Sequence, residues 1–175
     1  GRYACDRDRA GAALDALVAC YDAAPGDFAC PPMMAIALLA DPVAQRAAIG
    51  GWARAALPAP AAAPVVGRRG DRLRVGYLSS DFHDHATAHL AAGLFERHDR
   101  SRFEIVGYST GPDDRSPMRA RIERAFDRFE DLRDRHPFAI ADMIRRDAVD
   151  ILVDLKGHTQ DATPIVLARR PAPIQ

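Results

Sequence analysis

Three short runs of mainly apolar residues alternate with amphipathic segments in the second half of the chain. The runs are Leu73–Leu78, Phe103–Tyr108 and Val149–Leu155. Nearly unbroken apolar character is typical of strands that are buried on both faces of a parallel sheet. Because helix-forming segments separate the runs, the pattern predicts a doubly wound α/β domain with the first strand at its centre.

The segments between the runs carry apolar residues at helical spacing. They predict helices from Ala86 onward, over Arg115–Phe129 and over Pro137–Asp147. The charges of the second helix, which include Arg119, are mixed in sign. They predict a face exposed to solvent, with no role in a site.

Helical patterns also dominate the first part of the chain. The predicted helices are residues 7–22, Pro32–Ala40 and Asp41–Leu57. The last of these has Asp41 as its expected N-cap and Pro42 in its first turn. A stretch rich in Pro and Ala follows and cannot hold a helix. The predicted parts are a helical segment at residues 1–57, a linker at residues 58–71 and an α/β domain at residues 72–175.

Polar residues follow two of the predicted strands at their carboxyl ends. Asp81 and His85 come after the first strand, and Lys156 and His158 come after the last. Ligands of open α/β sheets bind outside the carboxyl ends of the strands, so we expect the two segments to converge on one crevice. Gly157 permits a left-handed turn or a close approach of the backbone there.

The helix that follows the first strand offers a second feature suited to a phosphate. Its first N–H groups are unpaired, and its positive dipole end attracts anions. Asp84 is the expected N-cap. It would accept a hydrogen bond from the N–H of Ala86 or Thr87 and so compete with a bound anion.

Three functions are open for the histidines of this segment. His83, His85 and His89, together with Asp81, have ligand types that zinc accepts. The same residues fit helix caps and ordinary surface positions. Third, a histidine at a helix N-terminus is biased towards its neutral form, which suits proton transfer or hydrogen bonding to a developing charge. We favour the third function.

The segment after the last strand has a similar ambiguity. Gln160 and Asp161 fit a functional site and a capped turn equally well. The turn would precede a helix that begins at Pro164, with Thr163 or Asp161 as its cap. For Lys156 and His158 we favour a functional role.

Composition narrows the classes of function. The 175 residues include 24 basic and 24 acidic side chains and carry no formal net charge, so no attraction to nucleic acid or an anionic membrane is expected. Cys5, Cys20 and Cys30 lack metal or redox spacing and fit reduced thiols. Without a long apolar run or a signal peptide, we expect a cytoplasmic protein. Both ends of the sequence suggest a fragment of a longer chain.

Motifs of several common α/β enzymes are absent from the sequence. It has no G-x-G-x-x-G after the first strand, no P-loop and no G-x-S-x-G. This disfavours NAD(P) enzymes, P-loop NTPases and α/β-hydrolases. No D-x-D-like pair ends a strand, so a metal ion need not be invoked. We expect no cofactor.

Four segments, in order, resemble the amino-terminal catalytic lobe of the O-GlcNAc transferase and SPINDLY-like glycosyltransferases. They are LRVGYLSSDFHDHATAHL, FEIVGYSTGPDD, DILVDLKGHTQDA and RRPAPIQ. Their joint occurrence is far more specific than any one of them. The resemblance implies a GT-B architecture, in which two Rossmann-like lobes flank the active cleft and tetratricopeptide helices precede them.

The resemblance also implies roles for individual residues. Asp81 matches one proposed base of the family, His85 matches the histidine beside the sugar nucleotide, and Thr87 is implied near the donor. Two positions depart from the family pattern: Ala86 replaces a proline, and Gln45 stands where a histidine of the helical region would align. The other implied cleft residues are His89, Lys156, Gly157, His158 and Thr159.

The reaction that the resemblance implies is transfer of N-acetylglucosamine (GlcNAc) from UDP-GlcNAc to a Ser or Thr hydroxyl of a protein. Asp81 or His85 would accept or relay the hydroxyl proton, while Thr87 and the helix start would stabilise the departing phosphate. GDP-fucose is an alternative donor, and a non-catalytic peptide-binding module is an alternative function. The family's second lobe, which holds the nucleotide, is missing from the sequence. We therefore expect the chain alone to be inactive.

Overall fold

The computed structural model describes residues 7–23, 30–62 and 70–175. The helices are α1 (Arg7–Ala23), α2 (Pro32–Leu38), α3 (Pro42–Ala56), α4 (Ala86–Glu96), α5 (Pro117–Ala125), α6 (Pro137–Arg146) and α7 (Pro164–Ala168). The strands are β1 (Leu73–Ser79), β2 (Phe103–Ser109), β3 (Arg128–Asp131) and β4 (Ile151–Asp154). The chain divides into two compact units, Gly1–Pro58 and Ala59–Gln175. In the described ranges, no helix is both long and apolar enough to cross a membrane.

The first unit contains α1, α2 and α3. The Asp41 carboxylate accepts hydrogen bonds from the N–H groups of Val43 and Ala44, each at 3.1 Å, and Pro42 occupies the first turn of α3. The predicted cap is confirmed. The predicted linker, by contrast, lies partly outside the described residues, because residues 63–69 are among those not described.

The second unit is built on a parallel sheet with strand order β3-β2-β1-β4. β1 pairs with β2 from Leu73 to Ser79 and with β4 from Val75 to Leu78. The first apolar run is therefore an interior strand, as predicted. The α/β fold is also confirmed, since parallel strands alternate with helices along the chain.

Two hydrophobic clusters cover the two faces of this sheet. Successive side chains of a strand point to opposite faces, which explains how one strand serves both clusters. Tyr77 of β1 packs in the cluster that includes α4 and α5, whereas Leu78 packs in the cluster that includes α6 and α7. This arrangement fixes the carboxyl end of β1 between helices on both sides.

The prediction of one helix over Arg115–Phe129 is wrong in its second half. The helix ends at Ala125, and the chain then forms the edge strand β3 beside β2. Phe126 and Phe129 are three residues apart and therefore imitate a helical stripe, but they contact each other and the core from a turn and a strand. The predicted solvent-exposed face is also wrong for Arg119, which is buried.

Candidate functional site

The candidate site lies where β1 and β4 end side by side. Leu78 pairs with Asp154 across the two strands, and the N–H of Leu155 donates to the carbonyl of Leu78 at 3.0 Å. Both strands run in the same direction, so the segments that follow them emerge at the same edge of the sheet. The predicted convergence of the two segments is confirmed.

Asp81 is the centre of the site. Its side chain is nearly buried, and both of its carboxylate oxygens accept hydrogen bonds from Nζ of Lys156, each at 2.8 Å. The hydroxyl of Thr87 donates to Oδ2 at 3.2 Å and that of Ser80 to Oδ1 at 3.3 Å. Asp81, Thr87, His85 and Lys156 are called the strand-tip cluster below.

Opposing effects act on the pKa of Asp81. Burial raises it, but the hydrogen bond and charge of Lys156, the nearby His85 and the Thr87 hydroxyl together lower the pKa below its ordinary value. Asp81 is therefore a carboxylate near neutral pH. A carboxylate with a lowered pKa and with both oxygens hydrogen-bonded is a weak proton acceptor.

His85 is the N-cap of α4. Its Nδ1 accepts a hydrogen bond from the N–H of Thr87 at 3.2 Å and lies 3.6 Å from Oδ2 of Asp81. Because Nδ1 is an acceptor, the neutral ring carries its proton on Nε2. The side chain is 43% exposed, so it can meet a ligand while its other nitrogen is fixed by the helix.

The prediction that Asp84 caps α4 is wrong. Its carboxylate binds Nε2 of His89 at 2.7 Å, and its own N–H donates to Oδ2 of Asp114 at 2.8 Å. That N–H is the largest of the influences that lower the pKa of Asp114 to about 2. The structure thus places His89 in an exposed pair with Asp84 rather than in the strand-tip cluster.

The loop after β4 is shaped by Asp154, a residue that sequence reasoning missed. Its carboxylate accepts hydrogen bonds from the N–H groups of Lys156 at 3.1 Å and Gly157 at 2.9 Å. Gly157 has φ +56°, which is the left-handed turn anticipated from the sequence. The Thr159 hydroxyl donates to the carbonyl of Lys156 at 2.9 Å, and His158 is exposed beside it. These bonds hold Lys156 in position towards Asp81.

Thr163 and Asp161 do not cap α7 in the predicted way. Thr163 occupies the N-cap position, but its side chain forms no capping hydrogen bond. Asp161 lies before it with φ +60°. The turn itself is present, since the N–H of Ala162 donates to the carbonyl of Thr159 at 3.2 Å, but the predicted side-chain cap of Thr163 is wrong.

Arg119 is the second residue that sequence reasoning missed. It is only 2% exposed, and its Nη1 donates to the carbonyl of Phe82 at 3.0 Å and to the hydroxyl of Ser109 at 2.8 Å. It also pairs with Asp131 at 3.2 Å and Glu123 at 2.6 Å. One guanidinium therefore joins the tips of β1, β2 and β3. Nothing in the sequence distinguishes it from the other arginines of α5.

Replacing Arg119 with methionine is expected to lower the free energy of unfolding by about 1–3 kcal/mol. The Phe82 carbonyl and Ser109 hydroxyl would lose their partner in a buried place, whereas Glu123 and Asp131 are 44% and 32% exposed and can be hydrated. Urea unfolding measures the change. Arg121→Met is the control, because Arg121 pairs with Glu96 at the surface. Equal losses in the two variants would contradict the structural role of Arg119.

The zinc hypothesis has no geometric support. In residues 7–23, 30–62 and 70–175, no group of three or more His, Cys, Asp or Glu side chains is placed to hold a metal ion. The rings of His83 and His85 lie 5.5 Å apart, and His89 is engaged by Asp84. One of the three histidines is therefore engaged by a carboxylate instead of being turned towards the other two.

Comparison with known proteins gives consistent matches. The model of glycosyl transferase family 41 matches residues 60–175. The Arabidopsis thaliana protein named as a probable UDP-N-acetylglucosamine-peptide N-acetylglucosaminyltransferase, SEC, is 38% identical over 117 residues, or 66% of this chain and 12% of that protein. The Caenorhabditis elegans UDP-N-acetylglucosamine-peptide N-acetylglucosaminyltransferase is 38% identical over 110 residues, or 62% of this chain and 10% of that protein.

A solved structure matches a larger share of the chain. A mutant of the Thermobaculum terrenum O-GlcNAc transferase superposes with a TM-score of 0.73 and 30% identity over 93% of this chain and 32% of its own. The chain spans only about 12% of the length of the curated relative SEC. The family model nevertheless covers well over half of the chain, including both strand tips. The chain belongs to glycosyl transferase family 41.

Proposed function

We propose that the full-length protein containing this chain transfers GlcNAc from UDP-GlcNAc to Ser or Thr hydroxyls of protein acceptors. The observation that carries the proposal is the strand-tip cluster, which brings a carboxylate, an imidazole, a hydroxyl and an ammonium group together at the ligand-binding edge of the sheet. Membership of family 41 supports a glycosyl transfer. The names of the Arabidopsis thaliana and Caenorhabditis elegans relatives favour UDP-GlcNAc over GDP-fucose.

Within the cluster, His85 is better suited than Asp81 to meet the reacting oxygens. The acceptor hydroxyl loses a proton while negative charge grows on the departing phosphate. Asp81 is nearly buried, and both of its oxygens are bonded. The His85 side chain is 43% exposed, and the neutral ring carries its proton on Nε2, from which it can donate to an oxygen of the substrate. We assign the direct role to His85.

In the observed arrangement, Thr87 cannot donate a hydrogen bond to the departing phosphate, so its role must be a different one. Its hydroxyl proton is engaged by Asp81 and its N–H by His85. The free lone pair of its oxygen can accept a hydrogen bond from a donor-sugar group. The loop with Lys156, Gly157, His158 and Thr159 forms the neighbouring wall of the proposed cleft, and His89 lies at its exposed rim.

We also infer that the full-length protein has a second lobe, which supplies the nucleotide contacts, and a tetratricopeptide-like helical region before the α/β unit. We infer that the reaction is cytoplasmic and uses no metal ion. The chain alone is then expected to show no transfer, because half of the cleft is missing.

Donor binding and product analysis test the proposal. Calorimetry on the full-length protein should detect UDP-GlcNAc binding, and mass spectrometry of an acceptor protein should detect added N-acetylhexosamine. GDP-fucose is the matched alternative donor, and a deoxyhexose on the acceptor would replace the proposed sugar. If neither donor binds, a peptide-binding module without catalysis becomes the better description.

A further inference from the structure

Lys156 is the only lysine in a chain that otherwise uses arginine for its strong bases. Its side chain is 8% exposed, and its ammonium group lies 2.8 Å from each oxygen of Asp81. The carboxylate of Asp154 fixes the backbone of Lys156 by accepting a hydrogen bond from its N–H. Lys156 is thus held at its backbone by Asp154 and at its ammonium group by Asp81.

A lysine beside a nucleotide-sugar site has two different possible uses. It can bind the diphosphate as a point charge, or it can hold another protein group in place. Binding the diphosphate would require Lys156 to leave both oxygens of a nearly buried carboxylate, which would then lack a counter-charge. The observed contacts therefore favour the second use.

We propose that Lys156 is a positioning residue that sets the orientation of His85 through Asp81 and Thr87. The chain of contacts runs from Nζ of Lys156 to Asp81, from Asp81 Oδ2 to the Thr87 hydroxyl, and from the Thr87 N–H to Nδ1 of His85. Through these bonds the tip of β4 determines how the first turn of α4 presents its imidazole. The kinetic part of this inference, the effect of Lys156 on turnover, rests on the proposed function. The structural part, the effect of Lys156 on Asp81 and on the orientation of His85, does not.

The charge of Lys156 is essential to this arrangement. Lys156, from the loop after β4, and His85, at the start of α4, are the titratable groups that act on Asp81, while Arg119 of α5 binds the carbonyl of the next residue, Phe82. Without the ammonium group, burial dominates and the pKa of Asp81 rises. A protonated Asp81 would compete as a donor with the Thr87 hydroxyl, and the link to His85 would weaken.

Four variants of the full-length protein test the kinetic part: Lys156→Met, Lys156→Arg, Asp81→Asn and the double variant Lys156→Met/Asp81→Asn. Lys156→Met should lower kcat by about 10²-fold, the effect of misplacing a reacting group, with little change in the Kd of the donor. Lys156→Arg should recover part of the rate. Because Asp81 must be ionised, the acid limb of the pH profile should move to higher pH in Lys156→Met.

The double variant separates positioning from direct binding. If Lys156 acts through Asp81, the double variant should be no slower than the worse single variant, because the two changes break one chain of contacts. A donor Kd weakened by about 10²-fold with kcat unchanged, and with additive losses in the double variant, would show that Lys156 binds the diphosphate and would overturn the proposal.

Nuclear magnetic resonance tests the structural part without any activity. In the 175-residue chain, Lys156→Met should raise the pKa of the Asp81 carboxyl and shift the signals of the Thr87 amide and the His85 ring. Lys156→Arg, which keeps the charge, should shift them less and guards against a folding defect in the first variant. If Asp81 and His85 do not respond to Lys156→Met, the inference is wrong. If they respond but no donor binds the full-length protein, the proposed function fails and the positioning contact stands.

Discussion

Replacing His85 with alanine in the full-length protein is expected to lower kcat by about 10²–10⁴-fold while leaving the Kd of UDP-GlcNAc nearly unchanged. This range covers proton transfer and hydrogen bonding to developing negative charge. The imidazole side chain is 43% exposed and is fixed at Nδ1 by the Thr87 N–H, so it can act on the transition state more than on the bound donor. Single-turnover rates and calorimetry measure the two quantities separately.

His85→Asn is the matched control for this prediction. Asparagine is among the best N-cap residues, so it should keep α4 capped after the Nδ1 contact is lost. It cannot exchange a proton as imidazole does. We expect the Asn variant to unfold at nearly the wild-type temperature yet remain slow. Near-normal turnover in His85→Asn would mean that alanine acted through the cap, and an unchanged rate in His85→Ala would remove His85 from the mechanism.

The position of the cluster could be predicted from the sequence, whereas its contacts could not. The apolar runs around β1 and β4 identify interior parallel strands, and parallel strands bring their carboxyl ends to one edge. This reasoning places Asp81 and Lys156 in the same neighbourhood. Whether they face each other across an opening or form an ion pair depends on side-chain directions and on the bonds that Asp154 makes to the loop. Those details arise only from the folded backbone.

The cap of α4 shows how a local rule can yield to tertiary contacts. Aspartate is a better N-cap than histidine by general preference, which favoured Asp84. In the structure, Asp84 is held away from that role by His89 and by Asp114, which comes from the loop after β2. The cap therefore moves to His85. The sequence around Asp84 contains no sign of Asp114, thirty residues further along the chain.

Arg119 and β3 were missed for related physical reasons. β3 is a four-residue edge strand with charged side chains, a common feature of sheet edges that blurs the alternating pattern of a strand. Arg119 finds its partners at Phe82, Ser109 and Asp131, on three different strand ends. Arg119 also has a local partner, Glu123, four residues along α5, but such a pair is common on exposed helix faces and gives no sign of burial. The other partners are assembled by the topology of the sheet.

The loop after β2 positions the strand-tip cluster from its other side. The N–H of Thr110 donates to the carbonyl of Ser79 at 2.9 Å, which ties this loop to the end of β1. The next residue, Gly111, lies so close to Ser80 that an added Cβ would be 1.8 Å from the Ser80 carbonyl oxygen. Only a residue without a side chain allows this approach, and Ser80 directly precedes Asp81.

Gly111→Ala is therefore expected to lower the free energy of unfolding by about 3 kcal/mol or more, since the clash is with backbone and cannot be relieved by a side-chain rotation. The melting temperature should fall by roughly 6–12 °C, and the full-length protein should lose turnover because Asp81 is displaced with Ser80.

Gly70→Ala is the control, since its Cβ would meet no atom within 4 Å. Gly157→Ala, at φ +56° in open space, should cost about 1–2 kcal/mol from backbone strain alone. If Gly111→Ala is as stable as Gly70→Ala, the loop after β2 does not pack against Ser80, and Asp81 must be positioned by its own hydrogen bonds to Lys156, Thr87 and Ser80.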